Sequence, residues 1–145
     1  MQAQELRIGN YVDYFGKITQ IDGIKRCSDG SFAVEICEKR PSGCSWCEYA
    51  PIETPSLKPI PLTEEWLLNF GFELEADEGD IKYFMNNRIN RNYGVKLYDN
   101  EELYIYHEYP MSCEYTILQE INHVHQLQNL YWCLCGEELT LKTEQ

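Results

Sequence analysis

Positive charge is scarce in this chain: 12 Lys and Arg stand against 24 Asp and Glu, a formal charge of −12. The imbalance is steepest in residues 97–145, where nine carboxylates face a single cation, Lys142. A surface that tracks phosphates needs clustered Lys and Arg. Here the cations are scattered as Lys25-Arg26, Lys39-Arg40, Arg88, Arg91 and Lys96. General nucleic-acid binding and attachment to an anionic membrane surface are therefore disfavoured. No apolar run approaches the roughly 18 residues of a membrane span. The opening Met1-Gln2-Ala3-Gln4-Glu5 has neither the basic region nor the apolar stretch of a secretion signal, so a cytoplasmic location is expected. Internal repeats are absent. So are Gly-rich phosphate loops, the metalloprotease helix motif and the Gly-x-Ser-x-Gly nucleophile turn.

Cysteine, by contrast, is plentiful: seven residues, an odd count. Without a secretion signal, reduced thiols are expected rather than a disulfide framework. Cys44-Ser45-Trp46-Cys47 has the spacing of half a zinc site, and Cys27 and Cys37 supply two further thiols. Nine residues separate Cys27 from Cys37, whereas structural zinc usually takes two closely spaced pairs. A zinc-stabilised interaction module is one alternative reading, and no other cofactor is expected. The histidines are His107, His123 and His125. On a helix, two residues apart means divergence by about 200°, so His123 and His125 are not expected to share a metal. A small thiol or carboxylate hydrolase would need His107 or His125 to meet Cys113 or a carboxylate.

Periodicity predicts the α+β class. Leu6–Val12 (apart from Gly9 and Asn10), Lys17–Ile21 and Phe32–Cys37 alternate apolar and polar residues, and Ser28-Asp29-Gly30-Ser31 marks a turn. An N-terminal antiparallel meander or partial barrel over residues 1–38 is expected. Pro41, Pro51, Pro55, Pro59 and Pro61 mark residues 39–61 as a Pro/Cys-rich connection. The α+β part, residues 62–145, completes a single domain. In it, Leu62-Thr63-Glu64-Glu65 followed by Trp66, Leu67, Phe70 and Gly71 predicts a helix over about 63–70, capped by Thr63. Four strands follow: Phe72–Glu75, Ile81–Met85, Val95–Tyr98 and Leu103–Tyr109, with a fifth at Tyr115–Leu118. Val124, Leu127, Tyr131 and Leu134 form one stripe of a helix over about 122–135, ended by Gly136. Leu139 and Leu141 suggest a short terminal strand. Both helices are expected to pack on a hairpin-rich sheet.

Three segments carry a resemblance. They are Leu6-Arg7-Ile8-Gly9-Asn10-Tyr11-Val12, then Pro59 through Phe72 (PIPLTEEWLLNFGF), then Val124-His125-Gln126-Leu127-Gln128-Asn129-Leu130-Tyr131 running on to Gly136-Glu137-Glu138-Leu139-Thr140-Leu141. Together they resemble a family of small uncharacterised proteins common in Bacteroidetes genomes and in their phages and mobile elements. The resemblance implies a cytoplasmic, mobile-element-borne protein that binds and inhibits rather than catalyses. Cys133-Leu134-Cys135-Gly136 departs from the family's Ala-Leu-Thr-Gly, and Cys27, Cys37, Cys44 and Cys47 are not part of the pattern. A metal site common to the family is thus not implied.

Tyrosine is the most suggestive residue, with eleven in the chain. Tyr93, Tyr98, Tyr104, Tyr106, Tyr109 and Tyr115 concentrate in the later strands, and Arg88, Arg91 and Lys96 lie beside them. Rings with hydroxyls suit protein contacts or the stacking of a planar ligand. The expected function is that of a non-enzymatic binding protein. Its surface would comprise Tyr93, Tyr98, Tyr104, Tyr106, Arg88, Arg91 and Lys96. It would sequester a small nucleotide-like ligand, block a host protein, or pair with a second copy of itself. An acidic decoy for a basic partner is a further alternative. The plain structural alternative is cross-strand aromatic packing beneath a helix.

Overall fold

Short alternating segments separated by Asp and Gly fold as antiparallel hairpins, as the alternation predicts. The computed structural model describes residues 2–39, 45–86, 93–99, 102–108 and 115–142. Among these are eleven strands in three sheets and two α-helices, the α+β class expected. The chain divides into two compact units, Met1–Ile60 and Pro61–Gln145.

In the first unit, β1 (Tyr11–Tyr14) and β2 (Lys17–Gln20) form a hairpin, and β6 (Leu57–Lys58) pairs with the other side of β1. The hairpin turn, Phe15-Gly16, has two positive φ angles, 53° and 80°, the backbone hand that suits strand twist. The Asp13 carboxylate accepts the Gly16 N–H at 2.6 Å. A second sheet has the order β3 (Gly23–Arg26), β4 (Phe32–Lys39), β5 (Ser45–Pro51). Its first turn is closed by Asp29, which accepts the N–H and hydroxyl of Ser31 at 2.9 and 2.7 Å. Val12, Ile21, Val34, Ile36, Ala50 and Ile52 belong to one buried apolar cluster shared by these segments.

The first unit differs from expectation in three places. Strand pairing starts at Tyr11 rather than Leu6. Asn10 is buried, its side-chain oxygen accepts the Arg7 N–H at 2.7 Å, and Gly9 has a φ of 90°, so residues 7–10 turn instead of extending. β3 forms where no strand was expected. Within the supposed connection 39–61, β5 and β6 form. Pro51 is compatible with β5 because it ends an edge strand, where a missing N–H is tolerated.

The second unit is a five-stranded meander. Its strands are β7 (Glu73–Asp77), β8 (Ile81–Met85), β9 (Tyr93–Tyr98), β10 (Leu103–Glu108) and β11 (Tyr115–Glu120), each neighbouring the next. Helix α1 (Glu64–Asn69) precedes the sheet and α2 (Val124–Cys135) follows it. Thr63 occupies the N-cap position of α1, but its side chain makes no capping hydrogen bond, a correction to the expected cap. Glu64 instead pairs with Lys82 on β8 at 2.8 Å. At the start of α2, the Gln126 side chain accepts the N–H groups of Asn122 and His123 at 2.9 and 3.1 Å. Gly136 ends α2 with φ 73°, as its position predicts. Leu139 is buried, but residues 139–141 are not a strand.

Alternation divides the sheet into two faces. Phe84, Val95, Leu103 and Ile105 are buried on one, and Phe72, Leu127 and Tyr131 line the same apolar seam as Val95 and Ile105. The opposite face carries Tyr83, Met85, Gly94, Lys96, Tyr98, Tyr104 and Tyr106, by their cross-strand register.

Candidate functional site: the tyrosine face and the β11 edge

Lys96 is the centre of this face. It is opposite Tyr83 on β8 and Tyr104 on β10. Its ammonium lies 4.7 Å from the Tyr83 ring centre and 5.1 Å from that of Tyr106, within the range of cation–π attraction. Lys96 is fully buried and Tyr106 nearly so. Lys96, expected as part of the binding surface, is instead enclosed: its charge is held among phenol rings. The Tyr83 and Tyr106 rings meet edge to face at 6.1 Å. The Tyr106 ring lies over Gly94, and its hydroxyl donates to the Met85 sulfur at 3.3 Å. Burial pushes the Tyr106 phenol up to about 12, and the carboxylates of Glu75 and Glu108 add to the rise.

Tyr98 and Tyr104 continue the face as a second edge-to-face pair at 5.6 Å. Both are half-buried. The Tyr104 hydroxyl donates to Glu102 at 3.0 Å, and that bond raises its pKa first, with desolvation following. Tyr93 belongs to the other face, where its ring meets His107 at 4.8 Å. The expected set is thus divided: Tyr98, Tyr104, Tyr106 and Lys96 come together, and Tyr93 does not join them. Arg88, Arg91 and Tyr109 lie outside the described residues, as does the side chain of Tyr115.

The sheet ends at β11, whose residues 116–120 are all exposed. Ile117 and Leu118 are 45% and 48% exposed. Tyr106 pairs with Ile117 and Ile105 with Gln119, so Leu118 is an extra residue in a β-bulge. Consequently two adjacent apolar side chains lie open at the edge. Carboxylates surround them: Glu120 is opposite Tyr104, Glu108 ends β10, and Glu102 holds the Tyr104 hydroxyl. The far edge, β7, is guarded differently, by Glu73, Glu75 and Asp77 along an exposed strand with its own bulge. A cleft of about 460 Å³ beside α1 is lined by Glu64, Glu65, Asp99 and Lys82 among others. Its carboxylates outnumber its one cation, which Glu64 already engages, so it does not suit a phosphate.

The four-cysteine zinc set is corrected as well. Cys37 and Cys47 form a disulfide, so the reduced state expected of all the thiols does not hold for this pair. Cys27 is a free thiol and does not join Cys37 and Cys47 in a cluster of metal-ligating groups, and Cys44 lies outside the described residues. His123 and His125 stack at 5.6 Å, because His123 is the N-cap and the helical divergence does not apply to it. His125 is buried, and Cys113, the thiol considered as its partner or that of His107, lies outside the described residues.

Sequence reasoning overlooked Tyr83 and the Ile117-Leu118 pair. Tyr83 could have been found as the alternate neighbour of inward Phe84 in Ile81–Met85. Adjacent Ile117 and Leu118 break strict alternation, which is the sequence signal of a bulge. Comparison with protein-family models, with curated proteins and with solved structures found no match. Among the described residues, no helix is long and apolar enough to cross a membrane.

Proposed function

We propose that this chain is a non-enzymatic binding protein that docks a basic, apolar-centred segment of a partner protein on the β10–β11 side of its tyrosine sheet. The observation that carries this reading is the exposed Ile117-Leu118 pair framed by Glu102, Glu108 and Glu120. Apolar side chains at the centre of a contact supply affinity, and a charged rim selects the partner's sign and speeds encounter. The half-buried Tyr98–Tyr104 pair extends the contact with rings already fixed by each other. A second copy of this chain is the weaker occupant, since it would set these same carboxylates against each other. A nucleotide is also weaker, because Lys96 is enclosed and the carboxylates of Glu75 and Glu108 act on Tyr106 beside it. The family resemblance adds a setting: a cytoplasmic, mobile-element-borne protein that blocks a host protein.

Fluorescence anisotropy with labelled peptides tests this. A Lys-flanked apolar peptide should bind in preference to its Glu-flanked counterpart, and more weakly as salt rises. Ile117→Asp/Leu118→Asp should abolish binding while leaving the circular dichroism spectrum unchanged. Equal affinity for both peptides, or a nucleotide-induced thermal shift with no peptide binding, would replace this reading.

A further inference from the structure

In the first unit, Glu35, Cys37 and Cys47 bring a carboxylate oxygen and two sulfurs within 4.8 Å of one another. The register of β4 and β5 builds this group. Glu35 and Cys37 are two apart on β4 and so share a face; Cys47 is directly opposite Cys37, and Tyr49 opposite Glu35. The Cys37 N–H donates to Asp22 at 2.7 Å, away from β5. Cys37 and Cys47 are therefore a non-hydrogen-bonded pair, the type that brings side chains closest, with Cα atoms 4.1 Å apart.

Two further features concern the carboxylate, and a purely structural disulfide needs neither. The residue opposite Glu35 on β3 is Gly23, where a Cβ would stand 2.7 Å from Glu35 Oε2. That vacant position is what the Glu35 carboxylate occupies. The Tyr49 hydroxyl is its donor, an interaction that raises the Tyr49 pKa, and the Lys25 ammonium lies 5.1 Å over the Tyr49 ring. A metal-binding carboxylate is commonly oriented by such an outer hydrogen bond. Cys47 is exposed and Cys37 half-buried, so a reductant can reach the bond.

We propose that Cys37, Cys47 and Glu35 form a redox-gated zinc site, closed in the disulfide and opened by reduction. A dithiol reductant attacks one sulfur and the S–S bond breaks. Two electrons and two protons pass to Cys37 and Cys47, and the reductant leaves as its own disulfide. Zinc then displaces the two thiol protons and takes two thiolates, the Glu35 carboxylate and a water as a tetrahedral set. The site shares no residue with the β11 surface, and its failure would leave the binding reading untouched.

The test uses the full chain, freed of any affinity tag and stripped of metal. It is reduced with a phosphine that does not itself bind zinc, and zinc is titrated in competition with a chromophoric chelator. The reduced protein should bind one equivalent more than the Cys37→Ser/Cys47→Ser variant does, and the oxidised protein should lack that equivalent. Cobalt in place of zinc should show thiolate-to-metal charge-transfer absorption in the reduced protein only. Glu35→Gln should weaken zinc by about tenfold or more, and Gly23→Ala should weaken it with both thiols still titratable. Titratable thiols without zinc affinity above the double variant would overturn the proposal. So would an unchanged affinity in Glu35→Gln, or loss of the β-sheet circular dichroism signal on reduction.

Discussion

Gly94→Ala probes the aromatic face through a single methyl group. Gly94 faces Met85 on one neighbouring strand and Tyr106 on the other. It is not among the glycines with positive φ, so alanine meets no backbone strain and gains slightly in strand propensity. Sterics oppose it. The new Cβ would stand 2.6 Å from the Met85 sulfur and 2.6 Å from Cε1 and Cζ of Tyr106, against about 3.5–4.0 Å for a relaxed carbon contact. The ring must move by about 1 Å to restore that spacing. It then leaves its place over the Lys96 ammonium and stretches the 3.3 Å hydroxyl–sulfur bond. Overpacking costs about 1–3 kcal/mol, and the glycine entropy term returns about 0.5–1. The expected net loss is about 1–2 kcal/mol, a fall in Tm of roughly 4–16 °C for a unit of this size. Thermal unfolding followed by the near-ultraviolet tyrosine signal measures it. In a Tyr106→Leu background, which removes the ring, the same Gly94→Ala change should cost much less, because the two sites are coupled. An unchanged or raised Tm, or an equal cost in both backgrounds, would refute the packing described for this face.

Alkaline stability reports on Tyr106. Its phenol ionises at about 12 in the folded chain but near 10 when unfolded, so the unfolded state releases its proton first as pH rises. Stability from this group is intact below pH 10 and falls through 10–12 by roughly 1–3 kcal/mol; Tyr106→Phe should flatten that part of a urea-denaturation pH profile. Leu127→Ala removes a buried contact of α2 and should cost about 2–5 kcal/mol in urea denaturation. Gly136→Ala meets no atom within 4 Å, so its expected cost of about 1 kcal/mol is purely that of the left-handed backbone. Replacing Gly136 with Asn, which tolerates that conformation, should cost less.

The second unit was largely legible because local signals agree there. The alternation of Leu103–Glu108, the stripe Val124–Leu127–Tyr131 and the stop at Gly136 each point to the element that forms. The first unit was less legible because β3 and β5 depend on pairing with β4 rather than on their own pattern. Prolines at 51, 55 and 59 read as interruptions, yet one of them ends an edge strand. The Cys37–Cys47 bond was hidden for a related reason. Spacing along the chain pointed to Cys44 and Cys47 as partners, whereas register placed Cys37 opposite Cys47. For the candidate surface, composition identified the tyrosine-rich strands but grouped Tyr93 with Tyr98, Tyr104 and Tyr106, although register puts it on the other face. It did not reveal that Lys96 is enclosed, because the enclosing rings come from β8 and β10, on either side of it. The β11 edge was legible only as a strand, since its exposure follows from being last in the sheet.

The proposed docking surface is the β10–β11 side of the sheet. Mapping amide chemical shifts by nuclear magnetic resonance, as a Lys-flanked apolar peptide is titrated into the isotope-labelled chain, tests it residue by residue. Perturbed amides should concentrate at residues 102–108 and 115–120, including Ile117 and Leu118, and the changes should vanish in Ile117→Asp/Leu118→Asp. Perturbations centred on the α1 cleft or in the first unit, persisting in that variant, would contradict it.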